Sequence, residues 1–281
     1  MSRRQLLPPD RTQAFTDFLA RRLLRVPARP GQPAEPPPGA LRIASYNLHK
    51  CVGTDNRFDP GRIATVIHEL DADILALQEA DRRFGRREGL LDMAELQRHT
   101  GLAMMPLAMA RGGHGWHGNA LLARNARMIE ARRLRLPGGE PRGAVMVELE
   151  FASGRVRVVA AHLGLLRRHR AQQVNALLES IAEADDTPIL LLGDLNEWRP
   201  GPRSSLRALE RDFGPVDAGP PTFPSRLPVF SLDRILCRPT GLLGGLATHE
   251  TPLSRVASDH LPLTAHLDLA AARPAALAAA A

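Results

Sequence analysis

The sequence predicts an α/β protein with two packed mixed β-sheets. Three observations carry that reading. Short apolar runs of strand length recur from Leu41 onward. Two of the gaps between them hold apolar stripes at helical spacing. A middle stretch, residues 120–161, reads as consecutive strands with a hairpin turn.

In chain order, Leu41–Tyr46 opens as a strand. Asp59-Pro60 then supplies an N-cap and first-turn pair, after which Ile63, Val66, Ile67 and Leu70 form one apolar stripe. Asp73–Gln78 is the next strand. Ala120–Ala123, Met128–Leu136, Val145–Phe151 and Val156–Ala161 follow as strands, with Ser153-Gly154 as a hairpin turn. Val174, Leu177, Leu178 and Ile181 give a second helical stripe, and Pro188–Gly193, Ser231–Cys237 and Leu261–Leu267 close the strand series. A β-α-β opening and a later β-α-β-α stretch hint at two similar halves.

At 281 residues the chain fits one folded unit, expected over 41–269, flanked by tails. In Thr12–Arg25, Phe15, Phe18, Leu19 and Leu23 recur at helical spacing among arginines, which predicts a basic amphipathic helix. It either docks on its own domain or lies on an anionic membrane surface, and docking is the favoured alternative. Residues 27–39 read as a Pro-rich linker, so that 1–40 form an N-terminal extension. Residues 270–281 read as an Ala-rich tail.

The formal charge of +7 misleads. Residues 1–40 hold seven Arg against Asp10, Asp17 and Glu35, which leaves only +3 for the rest. Bulk charge therefore gives little support to nucleic-acid tracking, which concentrates Lys and Arg on the working domain. No run of about 20 apolar residues exists to span a bilayer. The start lacks the features of a secretory signal, and two distant cysteines, Cys51 and Cys237, make neither a disulfide framework nor a Cys-rich zinc site. The expected location is cytoplasmic, with contact at the inner membrane face through the N-terminal helix as the alternative. No stable protein partner is inferred.

Polar residues interrupt the strands at their ends. Asn47 follows Ile43-Ala44-Ser45-Tyr46, Glu79 follows Gln78, His162 follows Ala161, and Asp194 with Asn196 follows Gly193. Ser258-Asp259-His260 precedes the last strand, whose start shares the same edge if that strand runs antiparallel. Ligand crevices in open α/β sheets form at strand ends, so one sheet edge is expected to collect the chemistry. Each such residue alone is more often a cap or turn residue. A lone His162 would be a satisfied core histidine and a lone Asp233 a partner of Arg234.

In order, the chain carries Ser45-Tyr46-Asn47, Gln78-Glu79, Gly118-Asn119-Ala120, Ala161-His162-Leu163, Gly193-Asp194-Leu195-Asn196, Leu232-Asp233-Arg234-Ile235 and Ser258-Asp259-His260. Over residues 41–268 it resembles the endonuclease/exonuclease/phosphatase superfamily of deoxyribonuclease I-like enzymes, with no departure from the motif set. That resemblance implies a four-layer α/β/β/α sandwich and hydrolysis of a phosphoester assisted by Mg²⁺ or Mn²⁺. It places Asn47, Glu79 and Asp259 as oxygen ligands of the cation. His260 becomes the general base oriented by Asp233, and Asp194 positions the attacking water or shares its proton. Asn196 and His162 donate hydrogen bonds to the transition state, and Asn119 orients His162.

Substrate signals are thinner. Lys50 is the sole lysine and, with Arg142, is a candidate phosphate contact; the alternative for each is a solvated loop residue. Arg82, Arg83, Arg86 and Arg87 either line an anionic groove or are simply hydrated. His114, Trp116 and His117 form another candidate rim. Trp198 could stack on a base, pack on a lipid tail or close a loop. The leading reading is hydrolysis of a small or lipid-linked phosphodiester. The alternatives are a DNA or RNA nuclease and, remotely, a non-catalytic scaffold, which would normally show broken motif positions.

Overall fold

The computed structural model describes residues 36–272, except 83, 84, 86, 110, 183, 184 and 218. The expected N-terminal helix, most of the linker and nearly all of the Ala-rich tail lie outside the described residues.

Two sheets form. The first has strand order β10-β11-β1-β2-β4-β3, from β1 (Leu41–Asn47), β2 (Ile74–Gln78), β3 (Ala103–Met104), β4 (Ala120–Ala123), β10 (Leu243–Thr248) and β11 (Leu263–Leu267). The second is β5-β6-β7-β8-β9, from β5 (Arg127–Arg135), β6 (Gly143–Phe151), β7 (Gly154–His162), β8 (Ile189–Asp194) and β9 (Asp233–Arg238). The β6–β7 hairpin turns at Ala152-Ser153, because Phe151 pairs with Gly154, one residue earlier than Ser153-Gly154. Each sheet contains one parallel βαβ unit: β1 and β2 joined through α1 (Pro60–Leu70), and β7 and β8 joined through α3 (Arg167–Ala182). The two expected halves are these units.

Local signals explain the helices. The Asp59 side chain accepts from the Arg62 amide at 3.1 Å, capping α1, and Pro60 takes the first helical position. Ile63, Val66, Ile67 and Leu70 are all buried, as their spacing requires. Helix α2 (Met93–Thr100), capped by Asp92 and ended by Gly101 in a left-handed conformation, has no counterpart among the sequence expectations. It buries only Leu96 of its eight residues, too sparse a stripe to read.

Strand alternation sorts side chains into three cores. Between the sheets, Ile43, Ile74, Ala76 and Leu263 meet Val145, Val158, Leu190, Leu192 and Ile235. Outside the first sheet, Ala44, Tyr46 and Leu75 pack on α1 and α2. Outside the second, Val159, Ala161, Ile189 and Leu191 pack on Val174, Leu177 and Ile181 of α3. Helices thus cover both outer faces, giving the four-layer sandwich.

Candidate active site

The site is the last rung of the inter-sheet core. In β8, Leu190 and Leu192 point between the sheets, so Asp194 must do so too. By the same period of two, Asn47 continues Ile43 and Ser45, His162 continues Val158 and Ala160, and Asp233 precedes Ile235 and Cys237. Across the second sheet, His162 pairs with Asp194 and Asp194 with Asp233. In the first, β11 runs antiparallel to β1, which brings the residues before it to the Asn47 end. Two sheet edges, one from each sheet, therefore hold these residues rather than the single edge expected. Asn47, Glu79, Asp259 and His260 come from the first sheet, and His162, Asp194, Asn196 and Asp233 from the second.

Hydrogen bonds join the two edges. Asn47 Nδ2 donates to Asp194 Oδ2 at 2.9 Å. The same oxygen lies 3.3 Å from His162 Nε2 and 3.8 Å from His260 Nε2. His260 Nδ1 meets Asp233 Oδ2 at 2.8 Å, and Thr222 Oγ1 donates to that same oxygen. With Nδ1 held by a carboxylate, the Nε2 of His260 is aimed at Asp194. Ser258 Oγ donates to the Asn47 carbonyl at 2.7 Å, tying the Asp259–His260 segment to β1.

The side chains in this network are buried, and burial sets the electrostatics. It raises the Asp194 carboxyl above the usual carboxylate range, against the pull of His260. Burial opposes protonation of His260, but the carboxylates of Asp233 and Asp194 outweigh it and hold the imidazole's pKa above its ordinary value. The His260 imidazole thus stands between two buried carboxylates, Asp233 and Asp194.

Close approach requires glycine once within this rung. Gly193 has φ +142°, and a Cβ there would stand 1.9 Å from the Ala161 carbonyl oxygen. Glu79 and Asn196, both just past strand ends, adopt left-handed backbone (φ 54° each), as do Lys50 and His117. Non-glycine residues in that region concentrate where a structure fixes side chains for use.

Asn196 donates its side-chain amide to the Leu163 carbonyl at 2.9 Å, and its backbone N–H to Asp194 Oδ1 at 3.0 Å. Asn119 donates to the carbonyls of Trp116 (3.2 Å) and Gly143 (2.9 Å), so it fastens the strand entrance beside His162, and its buried Oδ1 has no hydrogen-bond partner. Arg142 Nη1 lies 3.0 Å from each ring nitrogen of His162, with the guanidinium also paired to Glu140 at 3.2 Å. The Lys50 ammonium is paired with Glu79. A cleft there is lined by Lys50, Glu79, Asp81, Arg87, Arg142 and His162. Trp198 meets Phe230 edge-on (5.9 Å between centroids), with the Arg199 guanidinium 4.4 Å from its ring centre.

The donor set suits a hard cation. Asn47, Glu79 and Asp259 offer an amide oxygen and two carboxylates, and Glu79 already attracts an ammonium group. Asp259 is partly exposed, with His49 Nδ1 3.8 Å from its Oδ1. Among the described residues no group of three or more His, Cys, Asp or Glu side chains is placed to hold a metal ion. Water and substrate oxygens would have to complete the shell, as is usual for Mg²⁺.

Three residues at the site escaped the sequence reading. Asp81 lines the cleft two residues after Glu79, and burial raises its carboxyl. Glu197 and Arg170 form a buried pair at 3.1 Å behind the loops that follow Asn196 and His162. A sign of Arg170 was present, since it falls one turn before Val174 on the apolar face of α3.

Among the described residues no helix is long and apolar enough to cross a membrane. A family model described as the Endonuclease/Exonuclease/phosphatase family matches residues 44–260. The chain is 29% identical over 251 residues to the uncharacterized protein YbhP of Escherichia coli K12, covering 82% of this chain and 97% of that one. Its fold is similar to an endonuclease/exonuclease/phosphatase from Beutenbergia cavernae (TM-score 0.59, 22% identity, 82% of this chain and 71% of that one). It is also similar to the human Nocturnin catalytic domain with bound sulfate (TM-score 0.60, 20% identity, 81% and 93%). With the family match spanning the strands and turns that build the site, the chain belongs to the endonuclease/exonuclease/phosphatase family.

Proposed function

We propose that the chain is a divalent-metal-dependent phosphoesterase that cleaves a phosphodiester of a small or lipid-linked substrate by direct attack of water. The observation that carries this reading is the buried row in which Asp233 fixes His260 at 2.8 Å and His260 faces Asp194 across 3.8 Å. A water between His260 Nε2 and Asp194 would lose its proton to that pair as it attacks phosphorus. His162, 3.3 Å from the same Asp194 oxygen, and Asn196 would donate hydrogen bonds to the phosphoryl oxygens, His162 also serving the leaving group. Asn47, Glu79 and Asp259 would hold Mg²⁺ or Mn²⁺, which when bound neutralises charge on the phosphate and leaving oxygens. Lys50 and Arg142, both lining the cleft, would contact the substrate phosphate.

The test is turnover with and without Mg²⁺ or Mn²⁺ on a panel of plasmid DNA, RNA, an aryl phosphodiester, inositol phosphates and phospholipids, run beside His260→Ala. Hydrolysis of a small or lipid phosphodiester, absent in the variant, supports the proposal. Strand cleavage instead would establish the nuclease alternative, which the cleft arginines Arg87 and Arg142 favour; its binding would weaken steeply with salt. No metal-dependent turnover of any substrate would overturn both.

A further inference from the structure

Beside the catalytic cleft lies a second cavity of about 550 Å³, within the size range of ligand pockets. The two share Arg87, His117, Pro141 and Arg142 as lining residues and so adjoin one another. The second sheet sets the spacing. Arg135 ends β5 opposite Gly143 of β6, Gly143 lies beside the end of β7 at His162, and all three are on the face turned toward the first sheet. Two strand spacings separate β5 from β7, which puts Arg135 about 10 Å from His162 along the same rung.

The lining combines cationic and apolar groups. Arg87, Arg135 and Arg142 line the cavity, with Glu140 as the carboxylate among the described residues. Both Glu140 oxygens are already occupied, one by the Leu165 amide at 2.7 Å and the other by Arg142 at 3.2 Å. Arg135 makes no ion pair with a described carboxylate; its guanidinium stands 6.0 Å from the centre of the Trp116 ring. His117 packs edge-on against Trp116, 4.4 Å between centroids. Protonation of His117 is disfavoured first by burial and then by the charges of Arg87 and Arg135, which line the same cavity. Met109, 69% exposed, and buried Leu136 add apolar surface to the lining. Gly143 keeps this floor flat, since a Cβ there would come within 2.7 Å of Trp116 Nε1.

We propose that this cavity binds a second phosphate group carried by the alcohol portion of the substrate, with Arg135 and Arg87 as its cationic partners and Trp116, Leu136 and Met109 against the intervening carbon chain. The proposal rests on the phosphoesterase reading for the first phosphate. Two guanidinium forks suit a dianionic phosphate, and the apolar lining residues suit the methylenes between the two charges.

A matched pair of probes tests it: 1,6-hexanediol bisphosphate and hexyl phosphate, which differ only in the second phosphate. Calorimetric titration into the full chain, needing no turnover, is expected to show at least tenfold tighter binding of the bisphosphate. Arg135→Gln should remove most of that advantage, Arg135→Lys should restore part of it, and hexyl phosphate affinity should move less than twofold in either. Equal affinity for the two probes, or an advantage that survives Arg135→Gln, overturns the inference. If the advantage is present but no phosphoester of the panel is hydrolysed, the anion site stands and the phosphoesterase reading fails. If a phosphodiester is hydrolysed without the advantage, the reverse holds.

Discussion

Replacing Glu197 by Gln is expected to destabilise the protein by about 3 kcal/mol, a figure reached both from the buried pair and from linkage. The Glu197 side chain is wholly inaccessible and accepts from Ser205 N (2.8 Å), Arg199 N (3.0 Å) and Arg170 Nη2 (3.1 Å). Arg170 is itself 1% exposed, so the substitution leaves a buried guanidinium without its counter-charge, a loss of roughly 3–5 kcal/mol. The second route is linkage. Burial works to raise the Glu197 carboxyl, but the hydrogen bonds from Ser205 and Arg199 and the charge of Arg170 outweigh it and hold its pKa at about 2, against an ordinary 4.5. That displacement is worth about 3 kcal/mol at neutral pH. Because the folded-state value is depressed, the contribution is fully present above pH 4.5 and is lost as pH falls toward 2. Urea unfolding of the wild type and Glu197→Gln at pH 7 and pH 3 reads both effects. A gap of about 3 kcal/mol at pH 7, or roughly 6 to 12 °C in Tm, should shrink markedly at pH 3. A gap below about 1 kcal/mol at pH 7, or one unchanged by pH, refutes the reasoning.

Asp233→Asn should lower kcat on an aryl phosphodiester by roughly a thousandfold with KM little changed, because the 2.8 Å bond that orients His260 loses its carboxylate; unchanged kcat would remove Asp233 from that role. Gly193→Ala should cost more than about 3 kcal/mol or abolish soluble expression, since its Cβ meets the Ala161 carbonyl at 1.9 Å, and a wild-type unfolding midpoint would contradict the geometry. Chelation should abolish turnover, with Mg²⁺ or Mn²⁺ restoring it, while shifting Tm by only a few degrees; full activity in chelator would count against the ligand set. His162→Gln should reduce kcat about a hundredfold while the unfolding midpoint stays near wild type, and an equal loss of stability would mark the residue as structural.

Much of the sheet architecture was legible because its strands are both apolar and punctuated. The run Ile189–Leu192 ends in Asp194, and the parity that buries Leu190 and Leu192 between the sheets also fixes where Asp194 points. The division of the site between two sheets was not legible, because strand periodicity reports which face a residue occupies and not which sheet it joins. Strand β10 escaped notice since Leu243-Gly244-Gly245-Leu246 breaks the alternation at a sheet edge, and β3 is only two residues long. Glu197 lay in plain view beside Asn196. Its role depends on Arg170, 27 residues earlier, and such a pairing exists only after the loops behind β7 and β8 are brought together.

The distribution of polar groups along the inter-sheet rung explains why those loops need a clamp. Asn47, His162, Asp194, Asp233 and His260 are all buried, and each would be costly there without a partner. They satisfy one another across the two sheets, through Asn47 to Asp194 and His260 to Asp233, so neither sheet edge is complete alone. A network of this kind is sensitive to small displacements, since separating the edges strands several buried groups at once. Residues outside the rung hold each edge in place on its own sheet. Ser258 binds the Asn47 carbonyl on the first sheet, while Arg170 binds the Gly164 and Leu165 carbonyls and Glu197 on the second. The side chains proposed to do the chemistry thus sit on strand ends, and the turns beyond those ends are fixed by charges that never face the substrate. Loosening Arg170 or Glu197 should therefore lower kcat through misplacement of His162 and Asn196, even though neither lies in the cleft.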